Sequence, residues 1–190
     1  MAHDGAARVR SAMRAVARAD YLPPEVRDRA GDDAPVQIGH GQTNSQPRTV
    51  ADMLRLLDPR PGQRVLDVGC GSGWTTALLS WLVGPDGTVL GVELEPALVR
   101  MARAHLAAQQ VARVRVEQAD PERLGWPAEA PYDAVLVSAE ARELPQALLD
   151  QLGDPGRMVA PVNGVMLLVE RGDGVDAVTR HGHYRFVPLR

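Results

Sequence analysis

Lysine is absent from this sequence: all 21 basic residues are arginine. Acidic residues number 24 and the formal charge is -3, so this arginine usage builds no net positive field of the kind that draws nucleic acid or an anionic membrane. We read it as base composition and not as a need for bidentate recognition. Cysteine is reduced to Cys70, which excludes an intramolecular disulfide and points to a reducing compartment. No apolar run reaches the roughly 18 residues of a membrane span, and the first residues lack the apolar stretch of a secretion signal. A cytoplasmic protein is expected, with a small molecule or a protein as partner and neither nucleic acid nor membrane. His181 and His183 stand without a second cluster, so no metal is expected. Internal repeats and low-complexity tracts are missing too.

With 190 residues, 45% of them hydrophobic, the chain suffices for one core and is short for two. Val9, Ala12, Met13 and Val16 share one helical face, with Arg8, Arg10, Arg14 and Arg18 elsewhere, which predicts a surface-docked helix ending before Pro23. The proline- and charge-rich segment 23–35 predicts a loop with at most one helical turn. Val50, Met53, Leu54 and Leu57 predict a helix, with Ser45 placed to cap it. From "RVLDVG" onward, strands alternate with helices ("WTTALLSWLV", "PALVRMARAHLAAQ", "ELPQALLDQL"), which implies parallel pairing through right-handed crossovers. After residue 164 two strand patterns flank Gly-Asp-Gly with no room for a crossover. The expected fold is therefore α/β and doubly wound, a mostly parallel seven-stranded sheet closed by an antiparallel C-terminal strand pair. Residues 46–190 form its core and 1–45 an N-terminal helical extension that contributes to the substrate site.

"VLDVGCGSGW" puts Gly69, Gly71 and Gly73 between the first parallel strand and its helix, where glycines allow a tight turn and close approach of a ligand. A dinucleotide fingerprint would require glycine at position 74, which holds Trp74. Asp67 at the end of the strand disfavours a pyrophosphate and favours a cationic ligand. S-adenosylmethionine carries a sulfonium and an ammonium without a phosphate, and fits this acid. Glu93, ending the next strand, is placed to accept from both ribose hydroxyls, with Leu94 beside it, and Asp120 after the third strand to accept from the adenine amino group. Cys70 has no histidine near it in sequence and reads as a small residue filling the turn. His40 adjoins the polar stretch "GQTNSQP" and is a candidate for the substrate side.

The stretches "IGHGQTNSQPRTVADML", "VLDVGCGSGW", "APYDAVLVSA", "LPQALLDQL" and "RFVPL" resemble, in order and spacing, the bacterial protein-L-isoaspartate O-methyltransferases. The resemblance implies a Rossmann-like class I methyltransferase fold. It implies methyl transfer from S-adenosylmethionine to the α-carboxylate of L-isoaspartyl residues in damaged proteins or peptides, in a cytoplasmic monomer. It makes Ser45 the active-site serine, with Gln42, Thr43 and Asn44 in the same substrate loop. Gly69, Gly71, Ser72 and Gly73 become the cofactor loop, Glu93 the ribose acid and Asp120 the adenine-side acid. Asn44 stands where the family usually has isoleucine, and "ADP" (Ala119, Asp120, Pro121) where it has Gly-Asp-Gly, so that Pro121 removes a backbone donor. Alternatives are another carboxylic acid as acceptor and a non-catalytic S-adenosylmethionine-binding protein. An acceptor carboxylate of pKa roughly 4 is already ionised and needs no general base. The expected role of Ser45 is thus an orienting donor, helped by backbone N–H groups at the helix N-terminus.

Overall fold

The computed structural model describes the backbone of residues 2–190 and side chains from residue 5 onward. The first apolar stripe forms α1 (Ala2–Ala15), which buries Val9 and Ala12. Arg18, predicted to face outward, is instead buried, in a 3-10 turn spanning Arg18–Tyr21. Pro24–Gly31 is a second 3-10 segment of eight residues, longer than the single turn predicted. Side chains hold it there: Arg27 donates to the Leu22 carbonyl and Arg18 to that of Asp32 just beyond. A short antiparallel hairpin follows, β1 (Val36–Gly39) and β2 (Gln42–Asn44). Gly39, His40 and Gly41 all take positive φ at its turn. Nothing in the pattern of small polar residues foretold it.

Next comes α2 (Pro47–Leu57), with Val50, Met53, Leu54 and Leu57 buried as their spacing predicts. Ser45 does not cap it. The N-cap is Gln46, which makes no side-chain capping bond; the Arg48 N–H donates to Asp33 Oδ1 at 3.0 Å. Asp33 arrives from the preceding loop and does the work expected of Ser45.

The alternating region builds β3 (Arg64–Val68), α3 (Trp74–Val83), β4 (Thr88–Glu93), α4 (Pro96–Ala108), β5 (Val114–Gln118) and β6 (Tyr132–Val137). The helix predicted over "ELPQALLDQL" is reduced to one turn, α5 (Gln146–Leu149). Pro145 precedes it, and from Leu152 the chain already runs as β7 (Leu152–Val162). β8 (Val165–Gly172) and β9 (Val175–His183) complete the sheet, whose order is β5-β4-β3-β6-β7-β8-β9. Pairing is parallel from β5 to β7 and antiparallel at β7–β8 and β8–β9, as the Gly-Asp-Gly turn predicted.

Core clusters lie on both faces of the sheet. One joins Val9, Ala12 and Tyr21 to α2, α3 and α4; the other packs Leu148, Leu149 and Leu152 against β3, β4 and β6. Strand order reverses at β3, between β4 and β6, and open α/β sheets bind ligands at the carboxyl ends of strands beside such a point.

Candidate functional site

Two cavities open at that edge. The first, about 570 Å³, is lined by Gly69 and Gly71 after β3, by Glu93 and Leu94 at the end of β4, and by Asp120 after β5. Gly69 and Gly71 have φ of 76° and 54°, which side chains rarely adopt. The Gly69 and Cys70 N–H groups donate to the Val92 carbonyl at 2.9 and 3.1 Å, tying the loop to β4. Glu93 Oε2 accepts from Gly71 N and Oε1 from Glu95 N, both at 3.0 Å, so its carboxylate is held on the cleft wall by two backbone donors. Asp120 Oδ1 accepts from Glu122 N at 3.0 Å; its own side chain builds the turn in which Pro121 offers no donor.

The second cavity, about 880 Å³, is lined by Ser45, Arg48 and Thr49 on one side and by the chain from Gly182 to Val187 on the other. Thr43, Ser138 and Val187 line both cavities, so the two meet there. The terminal "RFVPL" supplies part of both walls. It is pinned to the end of β6 by Glu140 N donating to the Val187 carbonyl and Leu189 N to the Glu140 carbonyl, each at 2.8 Å.

A cleft sized for a nucleoside-like ligand, with a carboxylate at the end of the second parallel strand, opens into a groove carrying a serine. The sequence also matches the family "Protein-L-isoaspartate(D-aspartate) O-methyltransferase (PCMT)" over residues 3–190. The chain belongs to that family. It is similar to the protein-L-isoaspartate O-methyltransferase of Methanopyrus kandleri, 46% identical over 188 residues that cover 96% of this chain and 83% of the relative. Among solved structures, a Plasmodium falciparum protein assigned to the same family, in complex with S-adenosyl-L-homocysteine, superposes with TM-score 0.84 at 25% identity, covering 96% of this chain and 90% of that one. A further protein-L-isoaspartate O-methyltransferase structure gives TM-score 0.85 at 24% identity; the match covers 96% of this chain and 61% of that longer one, and supports the fold.

The residues expected in this methyltransferase's site fall into three groups. Gly69, Gly71, Glu93, Leu94 and Asp120 line the first cavity, Ser45 the second, Gln42 the first and Thr43 both. Asn44 and Ser72 line neither cavity but face a small recess that also touches Thr43 and Ser45, and Gly73 and Asp67 lie behind the walls. Asn44, 6% exposed, accepts from Arg18 Nε at 2.7 Å through Oδ1 and donates to Ser72 Oγ at 3.2 Å, so it joins the acceptor loop to the glycine loop. A Cβ on Gly73 would stand 3.2 Å from that of Ala102, which makes this glycine a requirement of α3–α4 packing. His40 lies on the hairpin turn outside both cavities, with Nδ1 3.6 Å from Glu95 Oε1. Cys70 is buried, and burial raises its thiol pKa well above the ordinary value, which suppresses nucleophilic character. Among the described residues no group of three or more His, Cys, Asp or Glu side chains could hold a metal, and no helix is long and apolar enough to cross a membrane.

Asp67 is fully buried beneath the loop, with Oδ2 accepting from the Thr75 and Thr76 hydroxyls at 2.7 Å each. Burial pushes its carboxyl up from 3.8 to about 6, against the lowering effect of those hydroxyls. Because this value is raised on folding, the native state binds more protons than the unfolded chain between roughly pH 4 and 6. Its contribution to stability therefore falls as pH rises through that window, by about 3 kcal/mol. Asp67→Asn, which cannot ionise, is expected to gain stability relative to the wild type across the window. Urea unfolding at intervals from pH 4 to 7 measures this, and parallel curves for the two proteins would contradict it.

Sequence reasoning missed Arg18 and Ser138. Helical periodicity places Arg18 outward, but α1 ends at Ala15 and Arg18 lies in the turn beyond it. For Ser138 the signal is present: it directly follows a strand beside the switch point, in "APYDAVLVSA".

Proposed function

We propose that this chain transfers the methyl group of S-adenosylmethionine to the α-carboxylate of L-isoaspartyl residues in damaged proteins or peptides. The observation that carries this reading is the junction of the two cavities at Thr43 and Ser138, which lets a cofactor against Glu93 meet an acceptor against Ser45. Bound in the first cavity, S-adenosylmethionine supplies an electrophilic methyl group. The protein's part is to hold and to align. Glu93 would accept from the ribose diol, Asp120 would take the adenine end, and the backbone of Gly69 and Gly71 would lie against the ligand.

The acceptor carboxylate is ionised at neutral pH, so positioning is the main demand, and alignment can contribute about 7 to 11 kcal/mol. Helix α2 offers less than its N-terminus first suggests. Pro47 has no N–H and that of Arg48 is engaged by the Asp33 carboxylate, so its first two positions present no free donor. Orientation then falls to hydroxyls, with Ser45 as the principal donor. Arg48 and Arg185, both lining the second cavity, favour an anionic peptide segment. We assign residues 1–45 to an extension that completes this acceptor side and 46–190 to the cofactor-binding core, in a cytoplasmic monomer.

Ser45→Ala is expected to lower kcat on an isoaspartyl peptide by roughly 10- to 100-fold, the range for one hydrogen bond to a charged group. Its affinity for S-adenosylmethionine should stay within about twofold of wild type. Radiolabelled transfer, with an aspartyl peptide and a no-acceptor reaction as controls, tests both the reaction and the role. Equal loss of transfer and cofactor affinity would remove Ser45 from the acceptor side.

A further inference from the structure

Ser138 follows directly on β6, across the switch point from Gly69. Its backbone N–H is fixed, donating to the Val68 carbonyl at 2.8 Å, so the residue has a rigid mount. Its hydroxyl oxygen is buried and has no hydrogen-bond partner among the described residues. Natural proteins rarely bury a hydroxyl unpaired, because the lost hydration costs about 1 to 3 kcal/mol. Ser138 is also one of the residues common to both cavities, and with Thr43 and Ser45 it lines a small recess between them of about 30 Å³. That volume is about the share of one water molecule in the liquid, enough to admit one ligand oxygen.

Resting on the functional reading above, we propose that the Ser138 hydroxyl is a second donor to the acceptor carboxylate, acting from the sheet while Ser45 acts from the segment between β2 and α2. Two considerations select the acceptor as its partner. A hydroxyl orphaned and closed off in the protein alone is satisfied once rotation about χ1 turns it toward a ligand atom, and the junction is where acceptor oxygen and methyl group must come together. Of the usual extra donors at the start of α2, Pro47 has none and the Arg48 N–H is engaged by Asp33, which removes the first two. A carboxylate held by one hydroxyl rotates about that bond; a second donor, on a strand end, fixes which oxygen points at the methyl group.

The test compares wild type, Ser138→Ala and Ser138→Thr in the full chain. Measured quantities are the melting temperature alone, its rise with S-adenosylhomocysteine, its further rise with an isoaspartyl peptide, and peptide kinetics. For Ser138→Ala the expected pattern is an unchanged or higher melting temperature alone, since an unpaired buried hydroxyl is removed, and an unchanged S-adenosylhomocysteine shift. The peptide shift should shrink and kcat/KM for peptide fall roughly tenfold. Ser138→Thr, which keeps the hydroxyl, should recover most of the loss. A lower melting temperature with wild-type peptide kinetics would make Ser138 structural and overturn the proposal. A reduced S-adenosylhomocysteine shift with an intact peptide shift would assign the hydroxyl to the cofactor and equally overturn it. Wild-type protein that transfers to the isoaspartyl peptide alongside an unaffected Ser138→Ala rejects this inference alone, whereas a wild type that does not transfer rejects it together with the functional reading.

Discussion

Glu93→Ala is expected to weaken S-adenosylmethionine binding by roughly 100-fold or more, the equivalent of about 3 kcal/mol for two charge-assisted hydrogen bonds. The carboxylate lies on the wall of the first cavity, already held by Gly71 N and Glu95 N at 3.0 Å. Those two bonds use one lone pair on each oxygen, and each oxygen has a second to offer a ribose hydroxyl. Preorganisation of this kind means little entropy is lost when the ligand arrives. Glu93→Gln keeps one acceptor oxygen and replaces the other with a donor that would face the Gly71 or the Glu95 N–H, so an intermediate loss of roughly tenfold is expected. Titration calorimetry measures both variants. A dissociation constant unchanged in Glu93→Ala would remove the acid from the cofactor site. In neither variant should the peptide KM at saturating cofactor shift comparably, since Glu93 does not line the second cavity.

The sheet was legible in the sequence for a simple reason. Runs such as "RVLDV" and "YDAVLV" are apolar without alternation, and the helices between them have their own period, so each element declares itself locally. The carboxyl-end acids and the glycine loop followed, because topology alone brings Gly69, Glu93 and Asp120 to one edge. The N-terminal quarter was not legible, because what shapes it is not local. The Arg18 guanidinium reaches Asn44 across 26 residues of chain, and Trp74 Nε1 reaches the Val16 carbonyl across 58. Asp33 replaced Ser45 as the helix partner by the same kind of long reach, 15 residues from Arg48. Trp74 shows both sides of this. Its identity excluded a dinucleotide loop, yet its role as the ring beneath Arg18, 5.5 Å from the guanidinium carbon to the ring centroid, needed the structure. The extra polarity of Asn44, which in sequence suggested a group beside the reacting centre, is spent on Arg18 and Ser72.

Arg18→Met is expected to reduce kcat/KM for an isoaspartyl peptide by roughly 100-fold, a loss that small displacements of positioning groups routinely produce. It is also expected to cost about 4 kcal/mol of stability, which corresponds to about 10 °C in melting temperature. Arg18 is 6% exposed, and its guanidinium donates to Asn44 Oδ1, to the carbonyls of Asp32 and Ala34, and to those of Asn44 and Ser45, at 2.7 to 3.1 Å. It thus ties the loop after the second 3-10 segment to the strand end that carries Ser45. Burial lowers its pKa, with Asp32 acting in the opposite sense; neutral carbonyl dipoles and the Trp74 ring make up its immediate shell. Methionine matches much of the volume but leaves these acceptors unpaired, and the loop holding Ser45 loses its anchor. Arg18→Lys retains the charge while its single nitrogen cannot reach acceptors spread around a planar fork, so a loss between wild type and Arg18→Met is expected. The cofactor cradle, built on β3, β4 and β5, does not depend on this anchor, and S-adenosylhomocysteine affinity should change less than about threefold. Peptide kinetics, thermal unfolding and calorimetry on the same preparations separate the terms. Kinetics that survive the substitution would show that the hairpin keeps Ser45 in place without Arg18, whereas a cofactor affinity that collapses with the kinetics would mean the two halves of the site are one mechanical unit through Asn44 and Ser72.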